Sequence, residues 1–207
     1  MDPALHLARS LSDAVNDERV MRAIATVPRH HFVPAAQRDR AYEDVALPIG
    51  CEQTISQPLV VARMLSLLDL SPDDRVLDVG TGSGWHAALL SVLAAEVWSI
   101  ERHAELSESA AARLARLGFH NVHCVTADGW MGLPEHAPFD AINVAAATGE
   151  QLPPALVAQL ALGGRLVAPV GGEDLQRLVL ARRERRGVRT WRLEPVRFVP
   201  LVPGEGG

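Results

Sequence analysis

The chain has 207 residues, of which 48% are hydrophobic and 22% are charged, so it is long enough and apolar enough to bury a substantial core. Its net charge of −5 argues against a broad basic face for nucleic acid, and its two cysteines, Cys51 and Cys124, have no metal-ligand spacing. The start of the chain has no apolar signal region, and no window reaches the ~18 apolar residues of a membrane helix. We therefore expect a cytoplasmic protein that binds no nucleic acid, membrane or metal, and we also expect a monomer. Cys124 lies in a strand-like run and is expected to be a buried small hydrophobe.

The N-terminal part is predicted to contain helices followed by loops. Residues 4–26 have a helical pattern, in which Asn16 or Asp17 is the expected N-cap of a helix over Glu18–Thr26. Prolines and a glycine interrupt residues 32–58, so this region is predicted to be rich in loops. A helical pattern resumes over Leu59–Leu68.

From Arg75 onward strands and helices alternate, which is typical of parallel βαβ units. The predicted strands are Val76–Val79, Val97–Ile100, Val122–Val125, Asp140–Val144 and Arg165–Pro169. The predicted helices are Trp85–Ala94, Ala104–Leu117 and Pro154–Leu162. Near the end, Leu175–Arg182 and Arg189–Val199 flank an arginine-rich tip and predict a β-hairpin at the far edge of the sheet. We interpret that tip as a solvated turn, because no aromatic platform accompanies it.

A glycine-rich turn follows the first predicted strand of this region. Its glycines have G-x-G-x-G spacing, whereas the dinucleotide fingerprint is G-x-G-x-x-G, and Trp85 stands where that fingerprint needs a small residue. A pyrophosphate therefore fits this turn poorly. We expect the turn to present backbone amides to a smaller adenosine-bearing ligand without phosphate, such as S-adenosylmethionine. The candidate cofactor contacts in the turn are Gly80, Thr81, Gly82, Ser83 and Gly84.

Acidic residues stand at the ends of three predicted strands. Glu101, 21 residues after Gly80, is placed to accept hydrogen bonds from both ribose hydroxyls, which would serve NAD equally well. Asp78 precedes the glycine turn and either fixes its backbone or approaches the methionine ammonium. Asp128, followed by Gly129, is a candidate acceptor for the adenine amino group, although an aspartate at a strand end is usually a turn former.

Seven short motifs occur in the order Ala41–Asp44, Leu47–Gly50, Gln53–Pro58, Asp78–Gly84, Ser99–Arg102, Ala137–Asp140 and Val196–Leu201. Together they resemble one family, the protein-L-isoaspartate O-methyltransferases. The resemblance extends from Val27 to the C-terminus. It implies one domain over residues 1–207, with helices and a substrate-side loop over 1–58 and a cofactor-binding core over 59–207. It also implies a doubly wound, mostly parallel sheet of the class I (Rossmann-like) methyltransferase type, with an antiparallel edge hairpin and an N-terminal helical cap.

The resemblance also implies an activity. Family members transfer a methyl group from S-adenosylmethionine to the free carboxylate of an isoaspartyl residue in a damaged protein or peptide, and the ester then collapses to a succinimide. Ser56 matches the family's active-site serine, and we expect its hydroxyl to orient the acceptor carboxylate. Asp128 matches the acid that binds adenine. Thr54, Ile55, Val196 and Phe198 are the expected substrate contacts.

Five positions depart from the family pattern, and three alternatives stay open. Glu52 stands where glycine is usual, and a glycine there indicates a positive φ. Ala145 replaces threonine, Trp85 and His86 replace tyrosine and glutamine, and Ala127 replaces glycine. The alternatives are a relative that methylates an ordinary aspartate in a dedicated peptide, a nicotinamide oxidoreductase, and a cofactor-binding module with little turnover. Relatives of the first kind often have extra C-terminal sequence, so the end of this chain at Gly207 favours general repair.

Overall fold

The computed structural model describes residues 2–172 and 174–204. The last three residues, 205–207, lie outside this range, and so does the chain end that was taken to favour general repair. Two helices open the fold, α1 (Pro3–Leu11) and α2 (Glu18–Thr26). The Asp17 carboxylate accepts hydrogen bonds from the backbone N–H groups of Arg19 and Val20, at 3.0 and 3.1 Å. The predicted helix is therefore confirmed, and Asp17, not Asn16, is its N-cap.

The region predicted to be loops contains a small antiparallel hairpin, formed by β1 (Leu47–Gly50) and β2 (Gln53–Ile55). The loop prediction was wrong for these residues. The turn between the strands is formed by Cys51 and Glu52, with φ of 48° and 57°. Two left-handed residues match the twist of a hairpin, but neither is one of the glycines or asparagines that signal such a turn in a sequence.

The remaining elements form a seven-stranded sheet and its helices. The strand order is β5-β4-β3-β6-β7-β8-β9, with parallel pairs from β5 to β7 and antiparallel pairs from β7 to β9. The predicted α/β class, the mostly parallel sheet and the antiparallel edge hairpin are confirmed. The elements are α3 (Pro58–Leu68), β3 (Arg75–Val79), α4 (Trp85–Ser91), β4 (Glu96–Glu101), α5 (Ala104–Arg116), β5 (Val122–Thr126), β6 (Phe139–Val144), α6 (Pro154–Ala158), β7 (Leu160–Gly171), β8 (Gln176–Glu184) and β9 (Gly187–Val196).

The helix predicted over Pro154–Leu162 is too long. Helix α6 ends at Ala158, and Leu160 already pairs with Phe139 as the first residue of β7. Leu160 is fully buried in the sheet. Strand pairing and burial here outweigh the helix propensity of the local sequence, as tertiary context often does.

Two apolar clusters cover the two faces of the sheet. One includes buried side chains from helices α1 to α5, among them Leu7, Ile24, Leu65, Leu89 and Leu114. The other packs α6 and neighbouring loops on the opposite face. Cys124 was expected to be a buried small hydrophobe and is partly buried. Desolvation raises the pKa of its thiol to about 11.

The strand order reverses direction beside β3, because β4 lies on one side of it and β6 on the other. In open α/β sheets, ligands bind in the crevice at the carboxyl ends of the strands at such a switch point. The glycine turn follows β3, Glu101 ends β4, and the loop that begins at Ala145 follows β6. The fold therefore places all three at one edge of the sheet.

Candidate active site

A cavity of about 380 Å³ opens at the switch point. This volume lies in the ordinary range of ~300–1,000 Å³ for small-ligand sites. Eight residues predicted from the sequence line it, from the glycine turn, from the end of β4 and from the β2 segment. They are Gly80, Thr81, Gly82, Ser83, Glu101, Thr54, Ile55 and Ser56.

A second cavity of about 630 Å³ adjoins the first. It is lined by Val196 and Phe198, the two predicted substrate contacts that the first cavity lacks. The two cavities have four lining residues in common, Thr54, Ser56, Ala145 and Val199. Ser56 and Ala145 therefore stand in the wall between the two cavities.

The amides of the glycine turn are already used within the protein. The N–H groups of Gly80 and Thr81 donate to the Ile100 carbonyl at 2.8 and 3.0 Å, and Gly84 N–H donates to the Thr81 carbonyl at 2.8 Å. Gly82 N–H donates to the Glu101 carboxylate at 2.9 Å. These four amides are therefore not free for a ligand, contrary to the expectation that the turn presents its backbone amides. The turn instead offers a fixed shape, which suits a ligand without phosphate.

Gly84 does not line the cavity. It has φ 85°, and a Cβ there would lie 3.3 Å from Leu114 Cδ1 and 3.4 Å from Ala110 Cβ. Close packing of helix α5 against the turn thus requires glycine at this position. Trp85, the next residue, is buried, and its indole N–H donates to the Val27 carbonyl at 3.3 Å.

Glu101 is held rigidly at the rim of the first cavity. Its side chain is only 6% exposed, and its two oxygens accept hydrogen bonds from the backbone N–H groups of Gly82 and His103, at 2.9 and 3.0 Å. Each carboxylate oxygen has two lone pairs, so both oxygens can accept a further hydrogen bond. This geometry suits a pair of neighbouring hydroxyl groups, as in ribose.

Asp78 lies beneath the site and does not line either cavity. Its carboxylate is fully buried and accepts hydrogen bonds from Ser99 Oγ at 2.8 Å and from Asn143 Nδ2 at 2.7 Å. Ser99 Oγ also pairs with Thr81 Oγ1 in the turn, at 2.7 Å. Burial raises the pKa of Asp78 to about 6, while the two hydrogen bonds oppose that rise. Of the two roles considered from the sequence, these contacts favour fixing the turn over meeting an ammonium group.

Asp128 and Gly129 also lie outside the first cavity. The Asp128 carboxylate accepts hydrogen bonds from the N–H groups of Trp130 and Gly204, at 2.9 and 2.8 Å. A Cβ on Gly129 would lie 2.6 Å from Val79 Cγ1, so the site needs glycine for close packing. A contact between Asp128 and adenine stays a prediction.

Arg29 fixes the loop that carries Ser56. The side chain is completely buried, and its guanidinium donates to the backbone carbonyls of Ala41, Glu43, Val45 and Ser56 at 2.8, 3.3, 2.9 and 3.1 Å. Its charge centre lies 5.2 Å from the centre of the Trp85 ring. Burial lowers the pKa of Arg29 to about 10, and the charge of Asp44 opposes that shift.

We expect Arg29→Lys to lower the free energy of unfolding by about 1–3 kcal/mol. A lysine keeps the charge, but its compact ammonium cannot reach all four carbonyls, and each buried acceptor left unpaired is costly. Urea unfolding measures the change. Arg9→Lys on the exposed surface of α1 is the control, and equal stabilities for the two variants would contradict the account.

The positive φ that was inferred for position 52 from the family resemblance is confirmed, since Glu52 has a φ of 57°. Its side chain is exposed, and the residue lines the first cavity beside Gln53. A carboxylate therefore stands at the mouth of the site, at the position where the family resemblance led us to expect glycine.

We expect Glu52→Gly to raise the free energy of unfolding by roughly 0.5–1 kcal/mol. Left-handed backbone costs a residue with a Cβ about 1–2 kcal/mol, and the greater chain entropy of glycine offsets roughly 0.5–1 kcal/mol of that relief. Thermal and urea unfolding measure the change. Glu150→Gly is the control, because Glu150 is exposed and is not among the residues with positive φ. A loss of stability on Glu52→Gly would contradict this assignment.

Several residues that line the first cavity were not predicted from the sequence. Arg102 and His103 follow Glu101 directly, so their position beside a strand-end acid was a usable signal. The segment 199–202 reaches the cavity from the far end of the chain. It is held there by two backbone hydrogen bonds, from Ala147 N–H to the Val199 carbonyl at 2.8 Å and from Leu201 N–H to the Ala147 carbonyl at 2.7 Å. Nothing local in the sequence predicts that pairing.

Within residues 2–172 and 174–204, no three histidine, cysteine, aspartate or glutamate side chains come together in a way that would hold a metal ion. In the same ranges, none of the helices combines the length and the apolar character needed to cross a membrane.

A doubly wound sheet with this turn, this rim carboxylate and this cavity defines a nucleoside-binding α/β protein of the class I methyltransferase type. The family model for protein-L-isoaspartate(D-aspartate) O-methyltransferase (PCMT) matches residues 5–206. The chain belongs to this family, as the motifs in its sequence indicated.

Curated relatives are similar in sequence to this chain over most of their length. The protein-L-isoaspartate O-methyltransferase of Koribacter versatilis is 50% identical over 192 residues, which cover 93% of this chain and 86% of the relative. The protein of the same name from Shewanella amazonensis is 50% identical over 202 residues, covering 97% of this chain and 95% of the relative.

Two solved structures have the same fold over nearly the whole chain. A protein-L-isoaspartate O-methyltransferase matches with a TM-score of 0.87 at 28% identity, covering 98% of this chain and 66% of that longer chain. A family member from Plasmodium falciparum, solved in complex with S-adenosyl-L-homocysteine, matches with a TM-score of 0.82 at 25% identity and covers 96% of this chain and 98% of that chain.

Proposed function

We propose that this protein transfers a methyl group from S-adenosylmethionine to the free carboxylate of L-isoaspartyl residues in damaged proteins or peptides. The observation that carries the proposal is the wall between the two cavities. It contains Ser56 and Ala145, with the glycine turn and Glu101 on one side and Val196 and Phe198 on the other. A cofactor and a peptide bound on the two sides would meet at this wall.

The residues of the first cavity fit S-adenosylmethionine. Glu101 would accept hydrogen bonds from the ribose hydroxyls, and the turn Gly80–Ser83 would support the ligand without needing a phosphate. When bound, the cofactor supplies a methyl carbon that its sulfonium already activates. The protein therefore has to exclude water and align the acceptor, and such alignment can contribute about 7–11 kcal/mol to lowering a barrier.

The acceptor needs no general base. A carboxylate with an ordinary pKa near ~4 is ionised at neutral pH and is itself the nucleophile. Ser56 would donate a hydrogen bond to one carboxylate oxygen and leave the other free to attack. Thr54 and Ile55 precede it in β2, and Arg29 fixes its backbone carbonyl at 3.1 Å. The ester formed would then collapse to a succinimide without further help from the protein.

The finer expectations belong to the same proposal. The protein would act in the cytoplasm as a monomer, on protein or peptide substrates and not on nucleic acid, with one domain in which residues 1–58 form the substrate side. The net charge of −5 supports the absence of a nucleic-acid partner. Size-exclusion chromatography with light scattering tests the monomer directly.

The alternatives are less well supported. A nicotinamide oxidoreductase would need amides at the glycine turn for its pyrophosphate, and four of those amides already have partners. A relative that methylates ordinary aspartate is not favoured, because the similar proteins named above are isoaspartate methyltransferases.

Mass spectrometry of a deamidated peptide tests the proposal. With S-adenosylmethionine and enzyme, the isoaspartyl form should gain one methyl ester and then lose methanol to give the succinimide. A peptide whose isoaspartyl form persists unmodified, although the protein binds S-adenosylhomocysteine, would contradict the proposal and favour a module with little turnover.

A further inference from the structure

The His86 side chain contains a buried ring nitrogen that has no hydrogen-bond partner. His86 is the second residue of α4, and it is 7% exposed and lines the first cavity. Its Nε2 atom is buried, and no described residue forms a hydrogen bond with it. A polar group buried without a partner costs free energy, so its partner is expected to come from a ligand.

The neighbours of His86 determine which ring nitrogen is protonated. Asn143 Nδ2 lies 2.7 Å from Asp78 Oδ1 and 3.3 Å from His86 Nδ1. A carboxylate can only accept, so the Asn143 amide nitrogen donates one hydrogen to Asp78 and turns its second toward His86. His86 Nδ1 is then the acceptor of that bond, and the proton of a neutral ring resides on Nε2.

Burial keeps this arrangement in one charge state near neutral pH. Desolvation lowers the pKa of His86 to about 3, so the ring is neutral. Desolvation also raises the pKa of Asp78 to about 6, which leaves its carboxylate ionised above that pH. Nε2–H is therefore a neutral donor held in place by Asn143.

The strand order indicates which part of the cofactor this donor meets. Glu101 ends β4 on one side of β3, whereas Asn143 stands in β6 on the other side. Asp128, the predicted adenine acceptor, follows β5 on the far side of β4. A cofactor with its adenine there and its ribose at Glu101 would extend across the turn after β3 toward β6, with its methionine end toward His86. That end has an ammonium, which cannot accept a hydrogen bond, and a carboxylate, which can.

We propose that His86 Nε2–H binds the carboxylate at the methionine end of S-adenosylmethionine and so distinguishes the intact cofactor from adenosine fragments. This assignment rests on the proposed function. It makes His86 a cofactor-binding residue that the family resemblance does not assign.

Calorimetry with matched ligands and variants tests the assignment. The ligands are S-adenosylhomocysteine, its decarboxylated analogue and methylthioadenosine, which lacks the whole amino-acid end. The variants are His86→Leu, which has no donor, and His86→Gln, which keeps one. His86→Leu should bind S-adenosylhomocysteine about 10–100-fold more weakly, as expected for a hydrogen bond to a charged group, while its affinity for the two other ligands changes less than about 3-fold. His86→Gln should retain most of the affinity.

Nitrogen-15 NMR of the unaltered protein gives a second measurement that needs no variant. S-adenosylhomocysteine should shift the Nε2–H resonance of His86, and methylthioadenosine should not. An equal shift by both ligands, or equal losses of affinity for all three ligands in His86→Leu, would overturn the assignment and leave His86 a packing residue. Unaltered protein that binds none of the ligands would instead overturn the proposed function, so the two failures are distinguishable.

Discussion

Glu101→Ala is expected to weaken binding of S-adenosylhomocysteine by roughly 10²–10³-fold. The carboxylate is 6% exposed and fixed by two backbone N–H groups, so it presents preorganised acceptors to the ribose hydroxyls. Hydrogen bonds to charged groups contribute about 1.5–3 kcal/mol each, and every 1.4 kcal/mol is tenfold in affinity. The substitution also releases Gly82, whose φ of 51° shapes the turn.

Isothermal titration calorimetry measures the change, with two comparison variants. Glu108→Ala removes an exposed acid from α5 and should leave the affinity unaltered. Glu101→Gln keeps the size of the side chain and one acceptor oxygen, so its loss should be intermediate. An affinity for Glu101→Ala within about threefold of the unaltered protein would show that the ribose does not lie at this carboxylate.

Ser56→Ala is expected to lower kcat/KM for an isoaspartyl peptide by roughly 10²-fold, because misplacing a reacting group by about 1 Å can cost that much. The affinity for S-adenosylhomocysteine should change less than about twofold. The two effects separate because Ser56 stands in the wall between the cavities, where a hydroxyl would hold the acceptor.

Steady-state methyl transfer and calorimetry on the same preparations test this separation. Ser12→Ala, an exposed serine at the end of α1, is the control for the substitution itself. If Ser56→Ala reduced cofactor affinity and turnover by the same factor, the hydroxyl would serve the cofactor and not the acceptor. If neither changed, Ser56 would have only its backbone role beside Arg29.

The elements with strong periodicity and clear boundaries were predictable from the sequence. An apolar run predicted strand β3, the glycine spacing predicted the turn at Gly80–Gly84, and the acid Glu101 was predicted to lie at the end of β4. The structure brings the turn and this acid to one cavity. The positive φ at Glu52 was also inferred correctly, because the family position was expected to need glycine.

Features that depend on tertiary pairing were not predictable. Leu160 has helix propensity, but pairing with Phe139 makes it a strand residue. The amides of the turn were expected to be free, and only the structure shows that the Ile100 carbonyl and Glu101 use them. The same holds for Arg29, whose four carbonyl partners lie up to 27 residues away along the chain. Local sequence contains no signal for such long-range partners.

The proposed methyl transfer to isoaspartyl residues is tested most directly with two peptides that differ in one linkage. One contains an L-isoaspartyl residue and the other the same sequence with ordinary aspartate, and each is incubated with enzyme and S-adenosylmethionine labelled in its methyl group. We expect the label to enter the isoaspartyl peptide as a base-labile ester and to leave the aspartyl peptide unlabelled. Equal labelling of both peptides, or labelling of the aspartyl peptide alone, would contradict the claim.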